Sequence, residues 1–324
     1  MKKRLILAVM AAIMTMTVAV AQQIAVVSEG GETSVYQTFQ SAIEGANPGS
    51  VIYLPGGNFT LPDSVKITKK LTIIGVGHKA KTDVVDGNTV INGNLFLNEG
   101  SSSSAVMGCY ITGRVKIGEN GIVNNVLIKL CFLNGIDVLN KDCTGTIVNQ
   151  NYVVARLNMG YSNVIIKNNI VKYTTSGYGP CIINVGSGII QHNILLYGSH
   201  SMSNINATVT DNVVTAWEQL GSGTMITSGN MGFKAYGENA IVIEAENGWD
   251  DVFVNYNNGN VSTESNFHFK EAFKQYENQV GIYAGTGFSD DALPPVPYIV
   301  AKRIAEETDA AGQLKIQVRV NAGE

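Results

Sequence analysis

His192 and Asp211 have the strongest claim in this chain to acid–base chemistry, because an imidazole held beside a carboxylate can take and return a proton near neutral pH. Each stands immediately before an asparagine, Asn193 or Asn212, in a column of a repeated phrase that runs Leu130, Gln150, Asn168, His192, Asp211. Tight bends also select Asn, Asp and similar residues, and a row of bends is the commoner origin of such a column. Asp250 and Asp251, directly after Trp249, form a second acidic pair outside the regular repeats. The candidate ligand contacts are aromatic. Tyr110, Phe132 and Tyr152 each follow an anchor residue by one position, so their rings could stack on pyranose faces if the column points outward; they are ordinary core if it points inward. Trp217 and Trp249 are isolated aromatic candidates, more often packing than ligand contacts, and Tyr173 and Tyr197 are expected to stack inside the repeat array.

All of these depend for their placement on a phrase recurring every 18 to 24 residues: VMGCYI, IKLCFL, VNQNYV, IKNNIV, IQHNIL and VTDNVV, anchored at Cys109, Cys131, Asn151, Asn169, Asn193 and Asn212. Three before the anchor stand Val106, Ile128, Val148, Ile166, Ile190 and Val209; two after it stand Ile111, Leu133, Val153, Val171, Leu195 and Val214. Between them, two before the anchor, come Met107, Lys129, Asn149, Lys167, Gln191 and Thr210, a mostly polar column that reads as solvent-facing. This alternation is that of strands. A drifting period near twenty, without helix-forming composition, predicts an all-β coil of short strands in which each turn buries its apolar side chains against the next. The anchors would stack at about the 4.8 Å spacing of neighbouring strands, as an asparagine ladder whose amides hydrogen-bond up the axis.

The ladder and the coil period resemble the right-handed parallel β-helix of pectate-lyase-like proteins. TSVYQTFQSAIEGANPGSVIYLPGGNFTL, followed by VKITKKLTIIGVG, is similar to the opening of many such proteins, where a short amphipathic helix caps the first coil. Phe39, Ala42, Ile43 and Ala46 give that helix its apolar stripe. NFHFKEAFKQYENQVGIYAGTGFSDDALPPVPYI resembles the closing segment of exported bacterial β-helix proteins. The resemblance covers most of residues 31 to 300 and implies architecture: a right-handed parallel β-helix with an N-terminal capping helix and a short C-terminal β hairpin. It does not imply a reaction, since β-solenoids host lyases, hydrolases, esterases, adhesins and spacers alike. The NTD, DD, GHG and RIK segments of polygalacturonase-like hydrolases do not occur as a set; Asp250–Asp251 is an isolated echo. Arg114 and Arg156 are the only arginines between the leader and Arg303, and no acid cluster adjoins them in the repeat alignment. No cofactor or metal site is identified. Calcium enters only if the chain is a lyase, where a metal is needed to acidify the sugar α-proton.

Residues 1–21, with Lys2, Lys3 and Arg4 before an apolar stretch and Ala19-Val20-Ala21 at its end, read as a cleavable secretory signal. The expected organisation is then a cap at 22–49, a β-helix at 50–290, and a Pro-rich connection with a C-terminal strand pair at 291–324. Without the leader the chain carries 19 basic and 26 acidic residues, a net charge of −7 that disfavours nucleic acid. No later segment is apolar enough to span a membrane, so the bacterial periplasm, cell surface or extracellular space is expected. Cys109 and Cys131 occupy successive anchors, where parallel Cβ vectors suit a disulfide torsion poorly, so buried thiols are expected over a bridge. Cys143 and Cys181 fall at unrelated phases, and no CxxC pair suggests zinc. The expected function is binding of carbohydrate or another extracellular polymer on the outer face, without recognisable catalytic machinery. The alternatives are a polysaccharide lyase or glycoside hydrolase with an unfamiliar site, and a structural or adhesive rod. The oligomeric state is not set by these residues.

Overall fold

Every repeat phrase folds as a strand, a one-residue bend and a second strand. The computed structural model describes residues 23–79, 87–173, 179–196, 200–216, 218–256, 259, 261–262, 265–285, 287–288, 290, 298–304, 313 and 316–321. Residues 1–21, read above as a secretory signal, Trp217, Tyr197 and residues 291–297 lie outside the described residues. At the bend, Leu130, Gln150, Asn168, His192 and Asp211 all adopt left-handed backbone, with φ between 52° and 57°. L-residues rarely visit this region, and Asn, Asp and His do so most readily. The composition of that column therefore follows from the bend.

Behind the bend the anchors turn inward and are fully buried. The Asn193 amide donates to the carbonyls of Ile166 and Gln191 at 2.9 and 3.0 Å and to Asn212 Oδ1 at 2.9 Å. Its own Oδ1 accepts the backbone N–H and the side-chain amide of Asn169. Asn151, Asn169 and Asn212 repeat the pattern, and the ladder runs one rung further than the repeat alignment, to Asn230. Asn230 escapes the alignment because Thr227 and Gly232 stand where its phrase should be apolar. Cys109 and Cys131 continue the column as buried free thiols, whose ionisation burial pushes up, to about 12 for Cys131; all four cysteines are free and buried.

The strands pair in parallel from coil to coil, giving a β-solenoid of about eight turns. Its core contains the columns three before and two after the anchors, each member fully buried. The first coil is closed. Ile24–Val27 pairs antiparallel with Thr33–Tyr36 and Val51–Tyr53, and the helix Phe39–Gly45, capped by Thr38, buries Phe39, Ala42 and Ile43. At the other end the coil stops half-way: after Asn230 the chain forms Met231–Gly232, cuts across with Tyr236 seated on the core, and returns as Ile241–Val242. The Tyr236 hydroxyl donates to the Ala216 carbonyl at 2.6 Å.

A second apolar layer lies on the outside of the coil. The column one after the anchors, Phe132, Tyr152, Ile170, Ile194, Val213 and Met231, belongs to a separate buried cluster with Trp249, Phe253, Phe267, Val280, Ile282 and Phe288. The described residues between 249 and 290 thus fold back over that face, through the short helix Trp249–Val252, the antiparallel strands Phe253–Asn255 and Asn266–Phe269, and the 3-10 helix Glu271–Tyr276. The C-terminal strands Tyr298–Ile304 and Ile316–Asn321 pair antiparallel with each other as a separate two-stranded sheet. Among the described residues no helix is long and apolar enough to cross a membrane.

Candidate functional site

The aromatic column points outward and is then largely covered. Phe132 and Tyr152 are 7% and 1% exposed; His78 packs on both rings, at 6.0 and 5.3 Å, and Phe288 meets Tyr152 edge-on at 5.2 Å. Tyr110, at the end of the row, is half-buried and meets Phe132 edge-on. Neither of the two arrangements considered for this column describes it: the rings leave the coil interior and are then covered. Trp249 is also buried, stacked on Phe253 at 5.6 Å.

The bend column is what holds the covering strap. Asn168 Nδ2 donates to the carbonyls of Ile282 and Ala284 at 2.8 and 2.9 Å, Gln150 Nε2 donates to the Gly287 carbonyl, and the Asp211 carbonyl accepts from Gly281 N at 2.9 Å. No side-chain hydrogen bond joins His192 to Asp211. The Asp211 carboxylate is taken by Gln191 Nε2 at 3.0 Å, and His192 Nδ1 is buried without a partner. Burial lowers the His192 pKa despite the nearby Asp211 charge, which disfavours the protonated form a shuttle needs. Asp251 accepts from the Asn247 backbone and side chain, which lowers its pKa and closes the loop before the helix; Asp250 presents only its carbonyl, to Lys270. The structure thus gives these residues folding tasks.

The strap ends in a polar buckle that the sequence did not announce. His268 Nδ1 lies 2.9 Å from Glu277 Oε1 and His268 Nε2 lies 3.0 Å from Asp290 Oδ2, with Tyr283 stacked on the imidazole and donating to Asp290 Oδ1 at 2.7 Å. Lys79 Nζ donates to the Asp290 carbonyl at 2.9 Å. Burial alone would raise the Glu277 pKa, but hydrogen bonds from Lys274, His268 and Phe269 N hold it below the ordinary carboxylate value. Both imidazole nitrogens are engaged, so the cluster fastens the strap.

A groove on another outer face leaves donors free. In coil register Arg114 lies opposite Gly135, and Gly135 opposite Arg156; in the next outward column Lys116, Asp137, Asn158 and Ile183 follow one another. Gly135 makes the approach possible, since a Cβ there would sit 2.5 Å from Arg114 Nη1. Arg114 grips both oxygens of Asp137, at 2.5 and 2.9 Å, and donates to the Arg156 carbonyl at 2.9 Å. Arg156 lies over the Tyr173 ring, 4.5 Å from its centroid, with Nη2 donating to the phenol oxygen at 2.6 Å. Tyr173 is therefore half-buried at the groove, with its ring against the core, and not stacked inside the coil as expected. These side chains, with Ala155, Asn158 and Ile183, line a cavity of about 280 Å³.

Arg156 has no carboxylate within ion-pair distance among the described residues, and its Nε and Nη1 have no protein partner there. Asn158 Oδ1 accepts from Asn184 Nδ2 at 3.1 Å, and Asn184 Oδ1 from Asn204 Nδ2 at 3.0 Å, so a polar amide row leads away from the groove across successive coils. The arrangement offers hydrogen-bond donors and one cation on an aromatic platform, which suits ligands rich in oxygen. Comparison with protein-family models, with curated proteins and with solved structures finds no match in any of the three. The chemistry must accordingly be read from the groove itself.

Proposed function

We propose that this chain is an exported, pectate-lyase-like β-solenoid protein that binds carbohydrate, or another oxygen-rich extracellular polymer, in the Arg156–Tyr173 groove without cleaving it. The observation that carries this reading is the guanidinium of Arg156, stacked on Tyr173 with two nitrogens lacking a protein partner among the described residues. Hydroxyl and ring oxygens of a sugar chain would accept from Arg156 and Asn158, and the amide row along Asn184 and Asn204 would extend contact over more than one coil. Asp137, the only carboxylate lining the groove among the described residues, has both oxygens held by Arg114, which supports binding over proton transfer. Export is supported by the basic, apolar and small-residue order of residues 1–21.

The test is incubation of the purified protein with a panel of plant, host and microbial polysaccharides, with and without calcium, measuring retained complex, new reducing ends and unsaturated products together. Retention without product is expected. Arg156→Ala should weaken it about 10- to 100-fold, the range for losing hydrogen bonds from a charged donor, while the unfolding midpoint stays close to wild type. Product formation would replace this reading with a lyase or hydrolase, and undiminished retention by Arg156→Ala would remove the groove from it.

A further inference from the structure

The unfinished last coil points to a partner. The strand Gln219–Ser228 pairs in parallel with His200–Thr210 on one side; on the other, among the described residues, only a bridge from Ser228 to Glu238 covers it. The Glu238 N–H reaches the Thr227 carbonyl at 3.0 Å and the Gly229 N–H reaches the Glu238 carbonyl at 2.9 Å, whereas the Thr224 N–H points back to Asn206 Oδ1. Odd-numbered residues therefore direct their peptide groups away from the coil, and at Met225 nothing among the described residues meets them. An uncovered row of this kind is a template for strand addition.

Two further features set this edge apart from a blunted one. Residues 219–228 contain no Lys, Arg, Asp, Glu or Pro, the residues that usually protect an exposed edge. Beside the edge lies a recess of about 350 Å³, bounded on the edge side by Glu218, Leu220 and Met225 and on the half-coil side by Lys234 and Tyr236. The opposite end of the solenoid is closed by its helix and antiparallel strands. The chain's own C-terminal strand pair forms its own sheet, and the strap runs away from this edge toward the earlier coils, from Gly281 at Asp211 to Gly287 at Gln150.

We propose that the occupant is a second copy of this chain, joined tail to tail. A two-fold axis along the step between half-coil and gap seats the half-coil of each copy in the gap of the other, as in a lap joint. Such a contact is self-complementary, and with the other ends capped it stops at two. Charge fits the joint. Within one chain Lys234 Nζ donates to the Glu218 backbone carbonyl at 3.4 Å, and among the described residues the Glu218 carboxylate has no partner; both side chains are exposed beside the recess, so the symmetry brings Lys234 of one copy to the Glu218 carboxylate of the other.

Sedimentation and small-angle scattering of the purified protein should give a dimer about twice as long as the monomer at roughly 50 µM, a concentration at which a specific interface of standard size is occupied. Glu218→Lys and Lys234→Glu should each raise the dimer dissociation constant at least about tenfold, because each places like charges at both pairs. Mixing the two variants in equal amounts should restore a dimer, since the mixed pair has opposite charges at both contacts. That restoration separates contact between copies from contact within one chain, and matching thermal melts of the variants establish that they are folded. A wild-type monomer, a side-by-side dimer, or failure of the mixture to associate would overturn the proposal; a monomer whose Met225 amide is protected from exchange would assign the edge to the chain's own tail.

Discussion

Asn193→Leu is expected to lower the unfolding free energy by about 3 to 5 kcal/mol, measured as a shift in urea midpoint at unchanged slope. The side chain is isosteric enough to fill the space but makes none of five hydrogen bonds. The carbonyls of Ile166 and Gln191 lose their amide donor, and both the backbone and side-chain nitrogens of Asn169 lose the Oδ1 they share. Asn212 Oδ1 keeps only the backbone N–H of residue 193. Apart from the carbonyl of half-buried Gln191, these atoms belong to fully buried residues, so each such orphan retains its desolvation cost of about 1 to 3 kcal/mol, partly relieved by local relaxation. Cys131→Ala is the informative control. It occupies an equivalent position, but its backbone N–H still reaches Asn151 Oδ1, and its thiol contributes only weak contacts to the carbonyls of Val106 and Lys129. A loss below about 2 kcal/mol is expected there. Equal losses at the two positions would mean that anchors act through packing alone and that the ladder adds nothing.

The ladder was legible in the sequence because it is local and periodic: a one-residue inward turn after each bend fixes which columns are buried, and the Val and Ile columns declared it. The column holding Tyr110, Phe132 and Tyr152 carried no such information. An apolar residue there serves equally an inner core, an exposed stripe or a stripe under a second layer, and the layer comes from residues 249–290, which have no repeat to align. His192 and Asp211 looked like chemistry for a related reason. Left-handed bends select the same side chains that proton transfer uses, and only the bonds from Asn168 and Gln150 to the strap distinguish the roles. The Arg114–Asp137 pair was hidden by arithmetic: its partners sit one coil apart, but loops of unequal length make their 23-residue separation match no fixed column. His268, Glu277 and Asp290 meet only after the strap has folded.

The covering layer has a measurable consequence in acid, through His78. This residue is fully buried between the aromatic row and the strap, both ring nitrogens lack partners, and burial with the adjacent Lys79 charge holds its pKa down to about 3. The unfolded chain binds a proton at this residue below its ordinary value of about 6.5, and the folded chain does not until far lower pH. Stability is therefore lost as pH falls through the interval between the two values, at up to about 1.4 kcal/mol per pH unit and on the order of 5 kcal/mol in all. The depressed His192 acts in the same direction. Glu277, whose folded value is also depressed, contributes stability that disappears only below the ordinary carboxylate range, so the interval from pH 7 to pH 5 isolates the histidines. His78→Phe keeps a ring against Phe132 and Tyr152 and removes two unpaired buried nitrogens, so it should stabilise at pH 7 by about 1 to 3 kcal/mol. Between pH 7 and pH 5 the variant should lose about 2 kcal/mol less than wild type. Urea unfolding of both proteins at the two pH values gives the comparison directly. Parallel losses would place His78 in contact with water and would mean that the strap does not seal the aromatic face. A flattened profile would make the strap part of the cooperative fold, with the outer aromatic row as a second core that no ligand reaches while the chain is folded.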